Sequence, residues 1–161
     1  MATSICFVFV LLLTCTLHAN GCYTSIISFG DSLADTGNAK LLVSEDDMLP
    51  HFLFPPYGET YFHEATGRNS NGRLIIDFVA ESLGLPLVPP FLGGARNNSD
   101  GCVMEFGQGV NYAVAGSFAM DSLISNVGRE QQDTSVSLGL QFKWFKRHLP
   151  SICGIPSGKC F

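Results

Sequence analysis

Apolar residues fall along the chain in blocks of differing spacing, and each spacing predicts an element. Residues 24–29 are largely β-branched or apolar, end at Gly30-Asp31 and are too few for an ordinary helix, so they read as a buried strand. Gly37-Asn38, the acidic Glu45-Asp46-Asp47 and then Pro50, Pro55, Pro56 and Gly58 break the next stretch of chain into a long irregular excursion, with only a brief helical pattern over 39–43. Leu74, Ile75, Phe78, Val79 and Leu83 recur at helical spacing between Asn71-Gly72 and Gly84-Leu85-Pro86. That predicts a helix over 73–83, with start and stop signals in place. Residues 109–114 carry a second strand pattern that ends in Ala115-Gly116. Leu138, Phe142, Phe145 and Leu149 then step by four, three and four along one helix face, and Pro150 is expected to end that helix. Strand, helix, strand, helix is the order of an α/β sheet. Two strands and two helices are few for a doubly wound sheet, whose inner strands need cover on both faces, so an incomplete domain is expected.

Composition narrows the function. A length of 161 residues suits one domain, and 46% apolar residues supply a core. Nine Lys plus Arg stand against fourteen Asp plus Glu, a formal charge of −5, and the basic residues cluster only at Lys143, Lys146 and Arg147. Little is present to neutralise phosphates, which argues against nucleic acid as a partner. Only 14% of residues are charged, while Gly (17) and Phe (13) abound, which excludes disorder for most of the chain.

The first 21 residues contain no Asp, Glu, Lys or Arg, and their apolar run is shorter than the roughly 20 residues a membrane span needs. Ala19-Asn20-Gly21 comes next, small residues flanking one other, which suits a signal peptidase. Residues 1–21 read as a cleaved secretory signal, the alternative being a retained signal anchor, and 22–161 as the mature chain. Cys6 and Cys15 leave with the signal, and the mature chain keeps Cys22, Cys102, Cys153 and Cys160. In an oxidising compartment these are disulfide partners rather than zinc ligands, and four cysteines allow three pairings. Gly154, Pro156 and Gly158 make the segment between Cys153 and Cys160 turn-rich, which favours a local bridge there. Asn97-Asn98-Ser99 is a glycosylation sequon in the polar segment 93–101, expected to be a surface loop.

Several chemical patterns fail. Asp31, Asp35 and Gly37 hint at a calcium loop, but Leu33, Thr36 and Leu42 stand where its ligand, Gly and Glu belong. Gly107-Gln108-Gly109 opens like a dinucleotide fingerprint, yet Tyr112 holds the third Gly position. Asp46, Asp47 and His51 fix no coordination geometry and read as a solvated acidic turn. Phe29-Gly30-Asp31-Ser32-Leu33-Ala34-Asp35-Thr36-Gly37-Asn38 survives, because a Ser just past a strand can stand at the carboxyl edge of an α/β sheet, where ligands bind. Taken alone, Gly-Asp-Ser is more simply a turn in which Asp31 and Ser32 cap the backbone. The Gly-x-Ser-x-Gly elbow is not met, since Ala34 holds its last Gly position.

The whole string, with Tyr57-Gly58-Glu59-Thr60-Tyr61-Phe62, Gly67-Arg68-Asn69-Ser70-Asn71-Gly72-Arg73-Leu74-Ile75-Ile76-Asp77-Phe78, Leu83-Gly84-Leu85-Pro86 and Gly109-Val110-Asn111-Tyr112-Ala113, resembles the plant secreted branch of the GDSL esterase/lipase family within the SGNH hydrolase superfamily. The likeness runs from about Ser25 to Cys160. It implies part of a flavodoxin-like, three-layer α/β sandwich with a parallel sheet, lacking its C-terminal part. It implies acyl transfer to water without a cofactor, with Ser32 as nucleophile and oxyanion N–H donor and Gly116 as a second N–H donor. Val114-Ala115-Gly116-Ser117 departs from the family's Ser-Gly-Gly-Ala run, although the donor glycine is kept.

The family's Gly-x-Asn-Asp and Asp-x-x-His blocks do not occur in this sequence, and none of His51, His63 and His148 has Asp three residues before it. His148 is expected at a helix end, against terminal carbonyls. The resemblance therefore implies a small-molecule or lipid ester as partner but no turnover by these residues alone. The rivals are a non-catalytic secreted fragment that binds an ester or a partner protein, and a truncated gene product. Unpaired strand edges further suggest poor solubility and weak cooperativity. Phe52, Phe54, Pro55, Pro56 and the apolar stretch 87–92 read as packing in preference to pocket lining. Lipid, acylated-sugar, alkaloid and phenolic esters stay open as substrates, and oligomeric state is not legible.

Overall fold

Two short strands, β1 (Ile26–Ser28) and β2 (Gly109–Asn111), pair in parallel with Ile26 opposite Gly109 and Ser28 opposite Asn111. The ladder runs on past both strands, as the Tyr112 N–H donates to the Ser28 carbonyl at 2.8 Å and the Val114 N–H to the Gly30 carbonyl at 3.2 Å. The computed structural model describes residues 23–44, 48–96, 106–120 and 136–152. The signal segment, Asp46, Asp47, Cys22, Cys102, Cys153, Cys160 and the sequon at Asn97 all lie outside them. On its other side β2 meets an isolated parallel bridge from Pro90 to Asn111, supported by an Asn111 N–H bond to the Pro89 carbonyl at 2.9 Å. The apolar stretch 87–92 thus lies against β2, with Val88 buried. Parallel strands joined through helical crossovers are an α/β arrangement, as the element order predicted.

The helices are α1 (Asn38–Leu42), α2 (Ile75–Ser82), α3 (Phe91–Arg96) and α4 (Leu138–Ile152), with a 3-10 turn at His51–Leu53. α2 begins where the Asp77 carboxylate reaches back to the Leu74 N–H at 2.8 Å. It stops where Gly84 turns left-handed, φ 69°, and the Leu85 N–H closes on the Ala80 carbonyl. Its buried side is Leu74, Asp77 and Ala80, whereas Ile75 is 78% exposed and Phe78 and Val79 are also exposed. The apolar repeat therefore located the helix but not its inward face. Asp77 sets the face, because its bidentate pair with Arg68 and its bond to the Leu74 N–H all form on the buried side.

Three further expectations are corrected. The segment 93–101 is not loop throughout, since its first residues belong to α3, where the Gly94 Cα lies against the Phe106 ring and leaves no room for a Cβ. Pro150 does not end α4, which continues to Ile152, because a proline in the last turn removes one backbone bond without breaking those before it. The inward side of α4 centres on buried Gln141 rather than on Leu138 and Phe142, both exposed. Around it, Phe29 stacks on Tyr112 with centroids 5.3 Å apart, Phe145 meets Phe29 edge-on, and Phe91 lies 4.8 Å from Tyr112 and 5.7 Å from Trp144. This cluster, part-buried around fully buried Tyr112, joins α3 and α4 to the strands. Among the described residues, no helix is long and apolar enough to cross a membrane.

Candidate active site

Ser32 sits in a turn that begins directly beyond β1. The Ala34 and Asp35 N–H groups donate to the Asp31 carbonyl, and the Asp31 side chain accepts the Leu33 N–H at 3.0 Å. Asp31 thus shapes the turn as an Asx cap. Ser32 does not cap: it is half-buried, and its hydroxyl has no hydrogen-bond partner among the described residues. Gly116 lies in the matching turn beyond β2, with φ 84°, exposed, and with nothing within 4 Å of where a Cβ would stand. The two turns share one sheet edge, the carboxyl end of adjacent parallel strands. Tyr112 to Ser28 and Val114 to Gly30 are the last bonds of the ladder, and the chain turns away from it two residues further on in each strand, at Ser32 and at Gly116.

One buried carboxylate ties the two turns together. Asp35 accepts N–H bonds from Gly37 (2.7 Å) and Asn38 (2.6 Å) on one oxygen, and from Ala39 (3.0 Å) and Ala115 (2.8 Å) on the other. Burial pushes its carboxyl above the usual 3.8, against the pull of these four backbone donors. Ala115 immediately precedes Gly116, so Asp35 fixes the second turn from the first. Asn111 adds a second tie: its amide donates to the Ala34 carbonyl and to the Thr36 hydroxyl, and its carbonyl oxygen accepts the Ala113 N–H at 2.9 Å. Asn38 donates to the Asn111 and Ala113 carbonyls, both at 2.8 Å, and accepts the Leu92 N–H. Asp35, Asn38 and Asn111 are all fully buried, and every one of these groups is paired.

Two outer supports hold this network. Arg68 makes a bidentate bond to Asp77, Nε to Oδ2 at 2.9 Å and an amino group to Oδ1 at 2.8 Å, and also donates to the Thr36 carbonyl at 3.2 Å. The backbones cross closely here. A Cβ on Gly37, φ 138°, would stand 2.8 Å from the Thr66 carbonyl oxygen, and one on Gly67 would stand 2.9 Å from the Gly37 Cα. From α4, the Gln141 side chain accepts the Gly30 N–H at 3.0 Å and donates to the Gly30 carbonyl and the Ser117 hydroxyl.

The histidines are engaged away from Ser32. His51 packs edge-on against Phe52 and Tyr57, and His63 Nδ1 faces the Glu59 carbonyl at 3.2 Å. His148 does not meet the carbonyls of a helix end, as expected from sequence. It lies within α4 among Phe91, Phe106 and Tyr112, with Nδ1 2.8 Å from the Tyr112 hydroxyl, because the aromatic cluster offers it burial with a polar partner. Burial lowers its pKa below the usual 6.5 and raises that of Tyr112. Among the described residues, no group of three His, Cys, Asp or Glu could hold a metal ion.

Asn111, Gln141 and the Arg68–Asp77 pair carry no catalytic signature in sequence. The signal they do carry is positional: a Gln in the middle of an apolar helix face, and an Asn in a buried strand, each need a partner.

A serine turn beyond the first strand of a parallel pair and a left-handed glycine turn beyond the second define an α/β protein with two turns at its carboxyl edge. The family model for GDSL-like lipase/acylhydrolase matches residues 26–149, and the chain belongs to that family. It is 57% identical over 136 residues to a GDSL esterase/lipase of Arabidopsis thaliana, covering 84% of this chain and 33% of that protein. A second Arabidopsis thaliana GDSL esterase/lipase is 52% identical over 135 residues, covering 84% of this chain and 32% of that protein. The chain thus spans about a third of the length of the curated relatives it matches. No solved structure matches.

Proposed function

We propose that this chain carries the nucleophile and two oxyanion donors of a secreted carboxylic ester hydrolase. The Ser32 oxygen attacks the ester carbonyl carbon as its proton passes to a base. The backbone N–H groups of Ser32 and Gly116 donate to the developing oxyanion, the alcohol leaves, and water then cleaves the acyl-enzyme to acid and free Ser32. The single observation that carries this reading is the pair of turns, one holding Ser32 and one holding Gly116, that leave the carboxyl ends of two paired parallel strands. Asp35 and Asn111 support it by holding the two turns to each other, so that little reorganisation is needed when charge develops. Family membership and the names of the relatives point to the same reaction class. The signal-like residues 1–21, the sequon at Asn97 and the cysteines Cys22, Cys102, Cys153 and Cys160 fit a secretory route.

The base is a different matter. With His51, His63 and His148 engaged elsewhere, the described residues offer Ser32 no base and leave it a protonated alcohol. Loss of the base in another serine hydrolase costs about a million-fold in turnover. The test is hydrolysis of p-nitrophenyl butyrate by the 161-residue chain and by a chimera that adds the remaining two thirds of an Arabidopsis thaliana relative. The chain alone should match its Ser32→Ala variant, and the chimera should turn over ester in a Ser32-dependent way. Ser32-dependent turnover by the chain alone would show that one of its own histidines serves as base.

A further inference from the structure

Beside the Ser32 turn lies an open cleft of about 280 Å³, walled by Gly30 and Asp31, by Ser117, Phe118 and Ala119, and by Leu138 at the start of α4. Its neighbours in sequence give it meaning: Asp31 directly precedes Ser32, and Ser117 directly follows Gly116. The walls are fastened to one another. Gln141 binds both backbone groups of Gly30 and the Ser117 hydroxyl, and the Leu138 N–H donates to the Phe118 carbonyl at 2.9 Å. Gln141, which makes three of these bonds, is fully buried. Above that polar clamp the lining is apolar and open to water, with Phe118 49% and Leu138 42% exposed. Apolar surface held open beside a reacting group gains free energy when a ligand covers it. The Asp31 carboxylate, also exposed, disfavours an anionic occupant by like charge.

We infer that this cleft is the subsite for an uncharged, short apolar arm of the ester held on Ser32, with Phe118, Ala119 and Leu138 setting its length. The inference rests on Ser32 being the nucleophile. The cleft falls just below the roughly 300–1,000 Å³ typical of small-ligand pockets, so it accepts a short aliphatic or single-ring arm and not a long chain. Either the acyl or the alcohol side of an ester supplies such an arm, and the two are separable by experiment.

The test uses the 161-residue chain and two series of neutral amides that are not turned over. N-methyl alkanamides lengthen the acyl side, N-alkyl acetamides lengthen the other, and the methyl signals of Leu138 and Ala119 are followed by NMR. One series should tighten about fourfold with each added methylene until the cleft is full, with shifts centred on Leu138 and Ala119, and that series assigns the arm. Leu138→Ser and Ala119→Trp should each abolish the gradient. Leu138→Ser, at an exposed position, keeps the test open if the bulkier variant does not fold. No gradient in either series, or shifts gathered away from the cleft, would overturn the inference. The titration needs no turnover, so its failure is distinct from a failure of Ser32 as nucleophile.

Discussion

Replacing Asp35 with Asn keeps the shape of the side chain and removes half of its accepting capacity. In the native chain each carboxylate oxygen serves two N–H donors, Gly37 and Asn38 on one side, Ala39 and Ala115 on the other. An amide can turn its oxygen to only one pair, and its NH₂ then faces the other. Two buried N–H groups are left unpaired at about 1–3 kcal/mol each, partly offset because no charge is buried any longer. A net loss of about 2–4 kcal/mol corresponds to a fall in Tm of about 5–15 °C for a chain of this size. Circular dichroism measures that fall, and amide exchange at Ala115 locates it. The sign of the pH dependence also follows. Asp35 titrates in the fold above its ordinary 3.8, so its contribution is full below 3.8 and declines as pH rises through the raised value. The variant should therefore fall furthest behind the native chain at acid pH. A Tm within about 2 °C of native, with exchange at Ala115 unchanged, would refute Asp35 as the tie between the two turns.

Arg68→Lys loses the bidentate bond to Asp77 and the reach to Thr36, and should cost about 2–3 kcal/mol in urea denaturation. Gly37→Ala places a Cβ 2.8 Å from the Thr66 carbonyl oxygen at φ 138°, and should cost about 1–3 kcal/mol by the same assay. His148 has a lowered pKa in the fold, so its contribution is present above 6.5 and is lost as pH falls through the folded value. Tm should therefore drop between about pH 7 and pH 5, and drop less in His148→Gln.

Periodicity carried much of the fold. Both strands, the 75–82 helix and the 138–152 helix were legible because short β-branched runs and helical repeats are local signals. Which face turned inward was not. Asp77 and Gln141 are polar residues on apolar helices, and each is drawn inside by a partner outside its own helix, nearby Arg68 in one case and distant Gly30 in the other. α3 was hidden by Gly93-Gly94, residues that weaken a helix locally, although Gly94 is required where Phe106 packs on the backbone. Ser32 and Gly116 stood out through their family motif, whereas Asp35 and Asn111 act only by joining two turns that the sequence keeps far apart.

Acyl-enzyme trapping tests most directly whether Ser32 is the nucleophile. The chimera is mixed with p-nitrophenyl butyrate, quenched in acid within the first turnover, and mapped by peptide mass. A butyryl group on the peptide that contains Ser32, absent together with turnover in Ser32→Ala, is the expected result. Turnover that survives Ser32→Ala, or an acyl group found on another residue, would contradict it.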